Sequence, residues 1–229
     1  MEHRMVQQMA KETLAHIRDV IRPGMSLREV RRICESKLLE MGADSFWYHD
    51  VGAFVFSGVD TVLSVSGRDY ETADRKIETN DVVTIDLSPQ ASGVWGDYAR
   101  TIVLESGAVI SDIGRIRNME WREALEMEQR LHDDLLHYAS PDITFEQLFH
   151  HANGLIRAHG YENLDFMSTL GHSIVRRRED RIYIERGNSC RLGEVEMFTF
   201  EPHIRRKGAR YGVKMENIYY FEDGRLLEL

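Results

Sequence analysis

The sequence predicts an α+β fold made of two copies of one unit, each of helices followed by a hairpin. Three observations carry that expectation. A capped helix recurs with the same length in each half, a hairpin follows each helix, and each hairpin bears two acids at opposed positions. Two copies imply a pseudo-two-fold duplication rather than a repeat array.

Residues 2–22 space Met5, Met9, Leu14, Ile17 and Ile21 as one helix face, and Pro23–Gly24 ends it. Ser26 and Glu29 form a capping box for a second helix that runs to about Met41 and stops at Gly42. Residues 46–66 read as strands, with Phe54–Phe56 and Val62–Val65 apolar, and a polar connection leads to the stretch 82–104. There Val83, Ile85 and Leu87 share one face while Thr84 and Asp86 share the other. Folding this hairpin about Ala91–Ser92 sets Asp86 opposite Asp97, with side chains roughly 5 Å apart. Like charges so placed repel, and a hard divalent cation bound by carboxylate oxygens would offset the cost. For two acids alone, a solvated hairpin is the competing reading.

The second half repeats this logic. Residues 111–139 are helical in composition with a mixed-charge, solvated face. Thr144 and Gln147 then make another capping box, and Gly160 ends that helix. Pro23 to Gly42 and Pro141 to Gly160 span the same 19 positions. Met197–Glu201 echoes Val82–Asp86, a turn centres on Gly208, and the return strand Val213–Phe221 carries Glu216. Folding about Gly208 opposes Glu201 and Glu216. A two-fold between halves, about 1–110 and 111–229 of a single domain, brings four carboxylates to one centre. His172 lies on a short apolar strand between them. Alone, such a histidine is more often a core residue bonded to backbone; beside four acids it reads as a ligand.

A net charge of −9 argues against a nucleic-acid or anionic-membrane surface. No apolar run approaches the 18 or so residues of a span, and the N-terminus lacks a signal peptide's apolar stretch. Cys34 and Cys190 make neither a disulfide framework nor a metal cluster, so a reduced, cytoplasmic setting is expected.

The segments TIDLSPQASGVWGDYART, LGHSI, FTFEPHI and KMENIYYFEDG resemble the successive metal-site motifs of the pita-bread metallopeptidase family. That family includes methionine aminopeptidases, Xaa-Pro aminopeptidases and prolidases. The resemblance runs from IRPGMSLREV to the C-terminus and implies the pita-bread fold. It implies two divalent metal ions (Mn, Co, Fe or Zn). Asp86 would bind one metal, Asp97 and Glu216 would bridge, and His172 and Glu201 would bind the other. Glu201 would also be the proton-transfer residue. The short Glu201–Glu216 interval is closest to the Xaa-Pro and prolidase branch, although those relatives usually carry an extra N-terminal domain that is not expected here. A homodimer acting on a short peptide or small molecule is the expected form.

Departures from the family pattern fall on the substrate side. The stretch TVLSVSGRDY lacks the histidine expected after the Ala53–Gly58 strand, and the position about seven residues past His172 is Glu179 or Arg178. Ser173 and His203 replace two usual glycines. Arg176 and Arg178 are candidates for binding a carboxylated substrate, with a charged strand edge as the alternative. His203 is a candidate catalytic residue, with an exposed turn histidine as its alternative. The expected function is therefore a dinuclear metal-dependent hydrolase with an altered substrate shell, one that cleaves ordinary peptides poorly. A metal-free binding module or a lyase-type relative of the same fold is the alternative.

Overall fold

A computed structural model describes residues 2–229. The first half comprises α1 (Glu2–Val20), α2 (Leu27–Glu40), β1 (Ser45–Phe46), β2 (Ala53–Ser57), β3 (Asp81–Leu87), β4 (Pro89–Ala91), β5 (Val94–Trp95), β6 (Tyr98–Glu105) and β7 (Ala108–Ile110). The second comprises α3 (Met119–Tyr138), α4 (Phe145–Ala158), β8 (Tyr161–Asn163), β9 (Ser173–Ile174), β10 (Met197–Phe200), β11 (His203–Arg206), β12 (Val213–Lys214), β13 (Asn217–Glu222) and β14 (Arg225–Glu228). All strand pairs are antiparallel. The main sheet of the first half runs β2-β3-β6-β7, and the second half holds β14-β13-β10-β9 and β12-β11-β8. This is the α+β, duplicated architecture the sequence predicts.

Each half buries its own apolar face. Val83, Ile85 and Leu87 of β3 pack with Leu14, Ile17, Leu27, Val30 and Leu38 of the first two helices. Phe198 and Phe200 of β10 pack with Leu131, Leu135, Phe145 and Leu148 of the next two. The duplication extends to details. Ser26 and Thr144 each make a full capping box, and each also bridges to a distant extended residue, Lys76 and Arg191 respectively. Gly42 and Gly160 end the two helices at φ +108° and +81°, a conformation that costs other residues strain. The halves join where β6 meets β12 and β13. Glu216 N–H donates to the Ala99 carbonyl at 3.0 Å, and Lys214 N–H donates to Thr101 Oγ1 at 2.9 Å.

Three local expectations are corrected. Val62–Val65 is not a strand: Gly58 enters at φ +56° and Thr61 Oγ1 donates to its carbonyl, winding 58–62 into a short 3₁₀ turn. The helix expected from residue 111 begins at Met119, because Asp112 and Asn118 each cap a separate start. The first hairpin turns at Ser92–Gly93, both with positive φ, so Asp86 faces Ala99 rather than Asp97. Such two-residue turns suit hairpin twist. Among the described residues no helix is long and apolar enough to cross a membrane.

Candidate metal centre

Backbone constraints aim the acids before any side chain acts. The hairpin register moved by two residues, so Asp86 and Asp97 keep the same face and become diagonal neighbours, still within reach. Gln7 of α1 clamps the Asp97 backbone with two hydrogen bonds, donating to its carbonyl at 2.8 Å and accepting its N–H at 2.9 Å. In the second hairpin Phe200 pairs with Asn217 and His203 with Lys214. Glu201 and Glu216 lie between those pairs, in the opposition the sequence predicts.

His172 is placed by a glycine. Gly171 sits at φ +140°, and a Cβ there would lie 2.2 Å from the Thr199 carbonyl oxygen. Without a side chain the strand closes on β10, with Thr199 N–H donating to the His172 carbonyl at 2.7 Å. The His172 N–H donates to Thr199 Oγ1, whose hydroxyl reaches Glu201 Oε1 at 3.3 Å. His172 Nδ1 lies 3.0 Å from the Ser173 carbonyl oxygen, which can only accept, so Nδ1 carries the proton. Nε2, left clear of the backbone, faces the acids, 3.4 Å from Asp97 Oδ2 and 3.9 Å from Glu201 Oε1. With Nδ1 committed to backbone, Nε2 is the nitrogen a metal would take.

One oxygen each of Asp86, Asp97 and Glu216 lies within 4.8 Å of the others. Glu216 is fully enclosed and its Oε2 has no hydrogen-bond partner among the described residues. Burial, then the neighbouring acids, push Glu216 well above the usual carboxylate range, and burial pushes Asp97 up to about 6. These oxygens and one imidazole suit a hard or borderline divalent ion. The residues present thus fit the metal the resemblance implies.

Two residues that sequence reasoning missed complete the site. Lys214 Nζ lies 2.6 Å from Asp86 Oδ2, 2.9 Å from Glu201 Oε2 and 3.4 Å from Glu216 Oε2. Burial works to lower its pKa, yet those three carboxylates hold it well above the ordinary value. Its position two residues before Glu216 was the available signal, since residues two apart share a strand face. Arg181 lines the cleft where Arg176 or Arg178 had been expected. The chain makes a 3₁₀ turn at Arg178–Asp180, leaving Arg176 exposed and returning Arg181 inward. Its guanidinium lies 5.0–5.4 Å from the rings of Trp47, Tyr48 and Tyr183. His203 is buried rather than an exposed turn residue. Burial lowers its pKa to about 4, and neutral Nε2–H donates to the Thr61 carbonyl at 2.7 Å.

The cleft is walled by Thr61, Leu63 and Ser64 where a substrate-facing histidine was expected, and Phe166 and Met167 stand exposed at its rim. Residues 2–223 match the profile of metallopeptidase family M24. The chain belongs to that family. A curated M24-like relative, an Xaa-Pro dipeptidase from Lactobacillus helveticus, is 29% identical over 141 residues, covering 62% of this chain and 35% of its own length. Among solved structures, a prolidase from Thermococcus sibiricus superposes with TM-score 0.81 at 23% identity, covering 99% of this chain and 57% of that one. A methionine aminopeptidase from Rickettsia prowazekii superposes with TM-score 0.75 at 16% identity, covering 99% and 94%. The M24 chain described here thus spans about a third of the length of the curated dipeptidase it matches.

Proposed function

We propose that this M24 chain is a divalent-metal-dependent hydrolase of small, non-peptide amides bearing a carboxylate. The observation that carries the reading is the placement of His172, whose Nδ1 is held by the Ser173 carbonyl and whose Nε2 faces Asp97 and Glu201 in a cleft that also holds Asp86 and Glu216. Those five residues would hold the metal, two ions if the family pattern applies in full. Bound there, a divalent ion acidifies water and polarises a carbonyl. Manganese, cobalt, iron and zinc all suit the donor set.

The chain's own groups supply the rest. Glu201 is the candidate to hold and move the proton, its Oε1 facing His172 and its Oε2 fixed by Lys214. Arg181 Nε donates to the Arg178 carbonyl, and its terminal nitrogens have no hydrogen-bond partner among the described residues. Held against three aromatic rings, that fork is pre-set for a substrate carboxylate. His203, with Nε2–H committed to Thr61, offers Nδ1 as an acceptor to substrate. Because the site takes Asp86 and Asp97 from one half and His172, Glu201 and Glu216 from the other, the reading treats residues 1–229 as one catalytic unit. A homodimer in the cytoplasm is its expected setting.

With no histidine at either substrate-facing position, ordinary Xaa-Pro and N-terminal methionine peptides should turn over barely above background. A panel of Xaa-Pro dipeptides, N-acyl amino acids and neutral amides, assayed on chelator-stripped and metal-reloaded protein, tests this. Turnover should require metal and favour small anionic amides. Arg181→Met should raise KM about 10-fold or more for those alone. Turnover indifferent to chelation, or cleavage of ordinary Xaa-Pro peptides with kcat/KM above roughly 10⁴ M⁻¹s⁻¹, would contradict it.

A further inference from the structure

The family pattern calls for two cations among the acids, yet one cation position is already met by the chain itself. Lys214 lies two residues before Glu216 and projects into the same cleft. Its backbone is locked to the other half through Thr101 Oγ1, which accepts its N–H at 2.9 Å and lies 3.1 Å from its carbonyl oxygen. The ammonium hydrogen-bonds Asp86 at 2.6 Å and Glu201 at 2.9 Å, and lies 3.4 Å from Glu216 Oε2 as a charge contact alone. Two of those neighbours, Asp86 and Glu216, belong to the trio of oxygens clustered within 4.8 Å that a second divalent ion would need. An ammonium uses carboxylate lone pairs without supplying any, so it competes with a metal for the same oxygens and repels it at close range.

The other side of the centre is different. His172 Nε2 lies 3.4 Å from Asp97 Oδ2 and 3.9 Å from Glu201 Oε1, and Lys214 is paired to Glu201 through the opposite oxygen, Oε2. The His172 imidazole lies on that side. Resting on the metal-dependent reading above, we propose that Lys214 is a tethered cation occupying one of the two metal positions. The chain then holds a single divalent ion at His172, Asp97 and Glu201. Half of the charge that a second exchangeable ion would bring is supplied permanently by the fold, and the centre stays partly neutralised when metal is scarce.

Metal stoichiometry decides the matter without any substrate. The full chain is stripped with chelator and titrated with manganese(II), counting bound ions by elemental analysis and reading their electron paramagnetic resonance. Wild type should bind one ion per chain and give the spectrum of an isolated manganese. Lys214→Met, which keeps most of the length of the side chain and removes its charge, should bind two and show exchange coupling between them. Lys214→Gln serves the same purpose if the methionine variant does not fold, and the wild-type arm stands by itself. Two ions in wild type would overturn the inference and leave the metal-dependent reading intact. One ion in both wild type and a folded variant would also overturn it, because Lys214 would not be what excludes the second. No ion in any of the proteins would remove the metal-dependent reading and the inference with it.

Discussion

Glu201 sits where opposing influences meet. Burial works to raise its carboxyl, but Lys214 and His172 outweigh burial and leave it below the ordinary carboxylate range. A carboxylate held ionised can accept a proton from bound water and return it to a leaving group. Glu201→Gln should therefore keep the fold and, at matched metal occupancy, lower turnover by about two orders of magnitude or more. Unchanged turnover in a loaded variant would take Glu201 out of the mechanism. At this scale the acids were legible in the sequence because strand alternation assigns faces. Even the misplaced first turn cost nothing, since a slip of two residues preserves the face of Asp86 and Asp97. Lys214 and Arg181 were not legible as site residues. Alternation gives the face of a long side chain but not where its charged end comes to rest, and the inward return of Arg181 depends on a 3₁₀ turn that a run of charges does not announce.

Element scale shows the same division. Both capped helices and the Gly208-centred hairpin could be read directly, because caps, helix-ending glycines and turns are local chemistry. The 3₁₀ turn at 58–62 and the late start of α3 depend on side-chain caps that compete with apolar runs for the same residues. Helix α3 also hides what its charge pattern suggested was solvated. Glu128 is 1% exposed and neither carboxylate oxygen has a hydrogen-bond partner among the described residues. Burial raises its pKa well above the usual value, so the folded state keeps a proton that the unfolded chain releases above about pH 4.5. The unfolded state then binds fewer protons, and stability falls with rising pH by up to about 1.4 kcal/mol per unit over that window. Glu128→Leu should remove this slope and stabilise the protein at pH 7 by about 1–3 kcal/mol, with a smaller gain at pH 5. Denaturant melts of both proteins at the two pH values check it. A destabilised variant at pH 7 would show that Glu128 has a partner that matters.

Across the whole molecule, two similar halves bury separate cores and meet at one centre, with β6 against β12 and β13. Neither half holds the site alone. The arrangement concentrates Asp86, Asp97, Glu201 and Glu216 against a single ammonium, Lys214, so the metal-free protein retains uncompensated negative charge between its halves. On the proposed function, His172 and these acids form a divalent-metal site. The most direct test is the melting temperature of the stripped chain, recorded with chelator and with saturating manganese, alongside His172→Ala. Ligand at about 100 times its dissociation constant adds about 2.7 kcal/mol, which for a chain of this size is a rise of roughly 5–10 °C. Wild type should show that rise and His172→Ala should lose most of it. Wild-type curves that coincide with and without metal, or an equal rise in His172→Ala, would contradict the claim.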